Sequence, residues 1–458
     1  MEGIVLGPKS WVDHLVERIS DQIQTIQEGF QGQRNLTIVP VPAPDGGIEY
    51  MYAEGQLLVR DRYVEQVSQI FSPGRSFDRK LVRPVVPGVS LLTQDPETPV
   101  KERRTVPEAL TTIDQSLGSG IATPDHVFTV APVGPCPATE PEEVYYGSEP
   151  FPSVCPEDSG AGVLIYVADT GLLKDADINP DHPWLNGVTR AFKEDGTPQD
   201  WDPAGTTLDG VTTIPPYAGH GTFVAGLIRC MAPAADVIVS NIFQVAGSQL
   251  ESDLGSELDQ ALALGVDVFN LSITATTRHE LSPLGFDGFV QRLHQHQGVV
   301  CVVAAGNNGN HKRCWPAAIP GMVSVGALGA DWRGRATFSN YGDWVKVYAP
   351  GRNLVNAYAT GPYKCQDFPY KDDVRSFWGM SRWSGTSFST PIVTGLVAAR
   401  MSRTGETGRE AAATLLAEAQ AHAIPGVGPV LLPCGGHCDE SPRRPCCHDA
   451  DCGCSRDR

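Results

Sequence analysis

Short apolar runs separated by helix-length segments constrain this chain more than any other feature. Val163–Val167 and Val299–Ala304 are continuous apolar runs, and Val237–Val239 and Val266–Asn270 are mostly apolar. A strand with one wet face alternates apolar and polar residues, so a run that is apolar at every position has both faces covered. Helical patterns at Gly221–Cys230 and Ser252–Leu264 fall between these runs. Strand and helix alternating in this way predict an α/β fold, a parallel sheet flanked by helices. In such sheets the working residues gather beyond the carboxyl ends of the strands, so the residues that end each run carry the most information. The chain holds no internal repeat and neither a dinucleotide-binding nor a P-loop fingerprint.

With 458 residues the chain is long enough for two or three domains. Over residues 10–30, Trp11, Leu15, Ile19, Ile23, Ile26 and Phe30 recur at helical spacing and predict an amphipathic helix packed on a neighbouring domain. Leu57–Val59 reads as a strand, Tyr63–Phe71 as a helix, Val82–Leu92 as extended, Pro107–Leu117 as a helix and Val127–Val130 as a strand, which makes a small α+β unit. Pro132–Pro156 has Pro135, Pro137, Pro141, Pro150 and Pro152 between its ends and reads as an exposed linker, where proteolytic cutting concentrates. The expected organisation is an N-terminal domain over 1–131, a Pro-rich linker over 132–159, an α/β domain over 160–425 and a Cys-rich tail over 426–458.

The formal charge of −18 argues against a nucleic-acid binder that relies on phosphate contacts. No run of about 18 apolar residues is present to span a membrane. Asp13, Glu17, Arg18, Asp21 and Glu28 interrupt the stretch after Met1–Pro8, so no secretory signal is seen and a cytoplasmic location is expected, with export by another route left open. Six of the 12 cysteines fall in residues 434–458. That tail reads as a disulfide staple, a disordered segment or a zinc site, with Cys434, His437, Cys438, Cys446, Cys447, Cys452 and Cys454 as candidate ligands. Cys230 and Cys301 read as small core residues, while Cys314 with Cys365 and Cys136 with Cys155 are candidate bridges. Asp195, Asp200 and Asp202 read as a solvated acidic turn.

In Ser384-Gly385-Thr386-Ser387-Phe388-Ser389-Thr390-Pro391 a small-residue turn runs into a helix that extends to Met401. Ser387 then stands at a helix N-terminus, where unpaired N–H groups and the helix dipole favour negative charge. Pro391 is expected to be tolerated because first-turn N–H groups lack intrahelical partners. A serine becomes a nucleophile only beside a base and an orienting acid. Asp169 closes the first apolar run in Val167-Ala168-Asp169-Thr170-Gly171, His220 opens a helix in Gly219-His220-Gly221-Thr222, and Asn307 follows another run in Ala304-Ala305-Gly306-Asn307. Taken singly, such an Asp or Asn is a turn former and such a His a surface residue. As a set they supply nucleophile, base, orienter and oxyanion donor, the four roles of acyl transfer.

These motifs, in this order, resemble those of the subtilisin-like serine proteases, as do Ala336-Thr337-Phe338-Ser339-Asn340-Tyr341-Gly342, Ala349-Pro350-Gly351 and Ala232-Pro233-Ala234-Ala235. The resemblance spans about residues 160–405. It implies a serine endopeptidase in which Ser387 attacks, His220 moves the proton, Asp169 orients the imidazole, and Asn307 with the Ser387 N–H holds the oxyanion. It implies that Ser272, Ile273 and Thr274, with Ala304, Ala305 and Gly306, border the substrate. The segment Asn270-Leu271-Ser272-Ile273-Thr274-Ala275 lacks the glycine usual there, which leaves the first pocket's shape open. Phe223 and Ile392 stand where the family often has histidine. No cofactor is implied for catalysis, although calcium is common in the family. Protein or peptide substrates are the implied partners, and residues 36–131 look like a propeptide, an intramolecular inhibitor cut away within 132–158. A proteolytically silent peptide binder and a regulator governed by the tail are the alternative classes.

Overall fold

The computed structural model describes residues 11–433 apart from 45–46, 72–76, 78–80, 131–137, 157, 194, 204, 209–210 and 367–368. The candidate zinc ligands of the tail and Cys136 lie outside the described residues.

The N-terminal unit contains α1 (Trp11–Arg34), β1 (Ile38–Pro42), β2 (Ile48–Arg60), α2 (Val64–Phe71), β3 (Val82–Val86), β4 (Val89–Thr93), α3 (Val106–Leu117) and β5 (Ala122–Thr129). Its strands pair antiparallel. The extended stretch expected over 82–92 is a hairpin that turns at Gly88, whose φ of 88° suits glycine. Thr105 and Glu108 form a capping box at the start of α3. The helices α2 and α3 bury Val67, Phe71, Leu110 and Ile113 against Leu57, Val59 and Leu92 of the sheet. As the helical spacing predicts, α1 packs on its neighbours: Ile23, Ile26 and Phe30 meet Met51, Val127, Val245 and Leu250.

The second unit contains β6 (Leu164–Asp169), β7 (Thr189–Arg190), β8 (Thr206–Leu208), β9 (Val211–Thr213), α4 (His220–Met231), β10 (Asp236–Asn241), β11 (Ser248–Leu250), α5 (Glu251–Leu262) and β12 (Val268–Leu271). It continues with α6 (Asp287–Gln295), β13 (Val300–Ala304), β14 (Val323–Leu328), β15 (Val347–Pro350), β16 (Leu354–Lys364), β17 (Val374–Trp383), α7 (Thr386–Thr404) and α8 (Gly408–Ala421). Seven strands form a parallel sheet in the order β15-β14-β13-β12-β6-β10-β7. Successive side chains point to opposite faces of a strand. Ile165, Val167, Val237 and Val302 accordingly pack with residues of α4 and α7, such as Phe223 and Ile392. Tyr166, Ala168, Phe269 and Val303 pack with residues of α5 and α6, such as Leu258 and Phe289. Both faces are covered, which accounts for the uninterrupted apolar runs.

The boundary between the units is crossed by a sheet. β11 pairs antiparallel with β5, matching Ser248 to Thr129, Gln249 to Phe128 and Leu250 to Val127. The ion pairs Arg34–Asp253 and Arg60–Asp287 also cross it, with side chains 30–36% exposed, so each contributes at most about 1 kcal/mol. Strand pairing and apolar burial carry the contact.

The stretch expected to be an exposed linker is instead strapped to the second unit from Ala138 onward. Ala138 N–H donates to Ser384 O, Glu142 pairs with Arg382, Phe151 with Val355, and Cys155 N–H donates to Cys230 O. Prolines forbid a regular element but leave carbonyls and the remaining N–H groups free to bond edge strands. At the other end, the chain stays packed beyond residue 425, where Leu431 N–H bonds Tyr348 O.

Candidate active site

Asp169 ends β6 and His220 opens α4, and the fold brings the two together: Asp169 Oδ1 lies 2.7 Å from His220 Nδ1. Both side chains are fully buried. The same Asp169 Oδ1 also accepts from Thr170 N–H at 2.8 Å. The imidazole packs against Phe388 and Trp383, with ring centroids at 5.2 and 5.7 Å. Glycines on both sides let the backbone close in. A Cβ on Gly221 would fall 2.3 Å from Gly171 O, and Gly219 adopts φ 81°.

Ser387 is the second residue of α7, which starts at Thr386, one residue ahead of the expected helix. Its hydroxyl does not meet His220. It donates to Val130 O at 3.2 Å, and His220 Nε2 makes no hydrogen bond among the described residues. Val130 arrives there as the continuation of β5. Thr129 and Thr274 exchange both backbone hydrogen bonds, at 3.0 and 2.9 Å, and Val130 N–H donates to Gly247 O at 3.0 Å. The end of the N-terminal unit therefore lies as an extended strand between β11 and Thr274, and it reaches Ser387.

Asn307 Oδ1 accepts from Thr386 N–H and Thr386 Oγ1, both at 2.9 Å. A backbone N–H can only donate, so the oxygen of the amide must face Thr386, and its NH₂ group is directed away from it. Asn340 braces the same turn, with Nδ2 donating to Ala305 O at 2.9 Å and Oδ1 accepting from Asn308 N–H at 3.0 Å.

The residues expected to border the substrate divide. Thr274 pairs with Thr129 on the strand that reaches Ser387, whereas Ile273 and Ala305 are core residues. Ala304 is buried, and Gly306 N–H donates to Thr386 Oγ1 at 3.1 Å. Ser272 turns its hydroxyl to Ser387 O at 2.8 Å. That contact corrects the expectation for Pro391. Proline in place of an N–H leaves the carbonyl four residues earlier without its helical partner, and that carbonyl belongs to Ser387. Ser272 supplies the missing donor.

Two further readings change. Cys314 is a buried free thiol 3.5 Å from Ala275 O, so the Cys314–Cys365 bridge is not formed. Burial pushes the Cys314 thiol up to about 12. Asp195 and Asp200 are exposed as expected, with Asp200 paired to Lys193, but Asp202 is only 3% exposed and bonded to Thr170 and Gly219. Asp195 accepts from Thr197 N–H and Oγ1, so the three carboxylates have separate partners. No group of three or more His, Cys, Asp or Glu arranged for a metal occurs among the described residues.

The profile of the subtilase family matches residues 160–429. A thermophilic serine proteinase of Bacillus sp. (strain AK1) is 30% identical over 248 residues, covering 52% of this chain and 52% of that protein. Subtilisin Savinase of Lederbergia lenta is 28% identical over 249 residues, covering 52% of this chain and 76% of its own. The chain thus aligns with about half the length of the Bacillus relative. Among solved structures, fervidolysin from Fervidobacterium pennivorans, a keratinolytic enzyme related to subtilisin, superimposes with a TM-score of 0.55 at 20% identity. The superposition covers 83% of this chain and 60% of that one, so the likeness of fold extends into the N-terminal unit. The profile match takes in more than half of the sequence, and the chain belongs to the subtilase family.

Proposed function

We propose that this chain is a serine endopeptidase. Ser387 Oγ attacks the carbonyl carbon of a peptide bond while its proton passes to His220 Nε2. Asp169 keeps the opposite ring nitrogen protonated and steadies the imidazolium that forms. The tetrahedral oxyanion is received by the Ser387 N–H and the Asn307 amide. Collapse breaks the C–N bond, His220 returns the proton to the leaving amine, and water releases the acyl group by the same steps.

One observation carries this reading. A strand of the chain's own N-terminal unit lies where an extended peptide would lie, and its last described carbonyl, that of Val130, accepts from the Ser387 hydroxyl. The same observation supports the N-terminal unit as an intramolecular inhibitor. It also moves the expected self-processing from 132–158 to the bond whose carbonyl Ser387 touches, Val130–Ala131. Pro132 makes the following bond a poor alternative, because its leaving nitrogen carries no N–H and bears a bulky ring.

The test is intact mass of the wild type and Ser387→Ala, each with a fluorophosphonate probe. A wild type that takes one label and yields a fragment ending at Val130, beside an unlabelled and uncut variant, is the expected result. A label without a cut keeps the hydrolase and makes the N-terminal unit a permanent cover. A folded wild type that takes no label even after the N-terminal unit is loosened overturns the enzyme reading in favour of a peptide binder.

A further inference from the structure

The helix that carries His220 lacks a cap of its own. Its N-cap is Gly219, which has no side chain, and the first N–H groups of any helix have no intrahelical acceptor. The acceptor comes from a loop 17 residues upstream: Asp202 Oδ2 accepts from Gly219 N–H at 2.7 Å. The same oxygen accepts from Thr170 Oγ1 at 2.8 Å, and Thr170 Oγ1 in turn accepts from Gly221 N–H at 3.1 Å. One carboxyl thereby holds the N–H of Gly219 directly and that of Gly221 through Thr170, the two residues on either side of His220. Thr170 also follows Asp169 directly, so the grip spans the two residues whose side chains meet at 2.7 Å.

The loop that delivers Asp202 is itself held. Asp202 N–H donates to Leu172 O at 2.9 Å, and Asn241 Nδ2 donates to Asp200 O and Trp201 O at 3.1 and 3.3 Å. Asn241 lies opposite Asp169 in the parallel pairing of β10 with β6. Burial pushes the Asp202 carboxyl well above the usual carboxylate range, and neighbouring Asp169 adds in the same direction. A carboxyl kept in such a place, with all its described contacts aimed at the histidine turn, is an arrangement a surface loop does not need.

We infer that Asp202 is a positioning residue for His220, setting the imidazole against Asp169 by holding the N–H groups of the residues on either side of it, Gly219 directly and Gly221 through Thr170. The inference rests on reading His220 as the general base. Asp202 itself touches neither substrate nor the reacting atoms.

The experiment measures peptide hydrolysis by the full chain bearing Asp202→Ala, Asp202→Asn or Thr170→Val, alone and in the His220→Ala background. Misplacing a base by about 1 Å is worth about 100-fold, so Asp202→Ala is expected to lower kcat by up to about that factor with KM nearly unchanged. Asp202→Asn keeps an acceptor oxygen and recovers most of the rate. Thr170→Val removes the bridge from Asp202 to Gly221 but leaves Asp202 on Gly219 N–H, and gives a smaller loss, which serves if Asp202→Ala does not fold. In the His220→Ala background Asp202→Ala costs nothing further. A loss that persists without His220, or that Asp202→Asn fails to recover, overturns the inference.

A wild type that neither cleaves peptides nor takes a fluorophosphonate label defeats the hydrolase reading instead. The ring proton of His220 then decides the clamp, its low-field resonance assigned by loss in His220→Ala. A resonance that moves in Asp202→Ala and Thr170→Val but stays in Asp202→Asn supports the clamp. A resonance unmoved in all three variants overturns it.

Discussion

The Ser387 hydroxyl donates to the carbonyl of Val130, a residue 257 positions earlier in the chain. The candidate nucleophile is thereby turned from His220 to a segment of its own polypeptide. Nucleophile–base hydrogen bonds commonly tighten only when substrate is bound in the productive pose. On the function proposed above, docking of the N-terminal unit governs access to Ser387.

Phe128→Ala tests that dependence. Phe128 is fully buried, and its ring stands 5.3 Å from that of Phe286 in the second unit. Removing a buried Phe side chain costs about 3–5 kcal/mol. Part of that cost falls on docking, so the label rate at Ser387 in the uncut chain is expected to rise at least about tenfold, since about 1.4 kcal/mol suffices for that factor. An unchanged label rate means that the strand does not control the cleft.

Asn307→Ala is expected to lower kcat by roughly 100- to 1000-fold with little change in KM, a magnitude known from a subtilisin rather than derived from this chain. The loss of two acceptor contacts to Thr386 also bears on the turn before Ser387, so a melting curve accompanies the kinetics. A variant with wild-type kcat removes Asn307 from the chemistry.

Ser272→Ala leaves the Ser387 carbonyl without a donor, because Pro391 has none to give. An unsatisfied buried acceptor costs about 1–3 kcal/mol. Pro391→Ala restores a backbone N–H four residues after Ser387. The double substitution is therefore expected to unfold at a higher denaturant midpoint than Ser272→Ala alone. Equal midpoints count against this account of the helix.

The docking contact is also expected to depend on pH. Asp125 is fully buried and accepts from Ser252 N–H and Oγ–H at 2.9 and 2.7 Å, next to the start of α5. Beside it, His126 Nδ1 lies 2.6 Å from Glu251 Oε2, and Arg278 N–H donates to His126 Nε2 at 3.2 Å. Burial, aided by the charge of Glu251, pushes the Asp125 carboxyl up to about 8. A raised carboxyl favours the protonated form in the folded chain. Its contribution is full below the unfolded value of about 3.9. It is lost as pH rises through the folded value. Wild type should lose stability relative to Asp125→Asn between about pH 4 and 8, at up to about 1.4 kcal/mol per pH unit. Denaturant midpoints taken across that window check the slope, and parallel curves would assign the titration elsewhere.

Much of the site was legible because it is built from local patterns. Asp169 and Asn307 follow apolar runs, and His220 and Ser387 open helices, so each is marked by the element it terminates or starts. The parallel sheet was legible for the same reason, since burial on both faces is written along each strand. Asp202 was missed because nothing in Asp200-Trp201-Asp202 distinguishes a buried clamp from a wet turn until the loop is laid against Thr170 and Gly219. The Pro-rich strap was missed because isolated backbone contacts with Ser384, Arg382 and Val355 leave no periodic trace.

By itself the sequence determined the α/β architecture, the family and the positions of the four residues the proposed chemistry calls on, since periodicity and short motifs follow from which faces an element buries. Tertiary structure alone decided that the Val130 carbonyl meets the Ser387 hydroxyl, that Ser272 replaces the hydrogen bond Pro391 cannot make, and that Asp202 holds the turn around His220. Each of those depends on atoms far apart in the chain meeting within about 3 Å, the reach of a hydrogen bond. Distances of that kind are set by how whole elements pack.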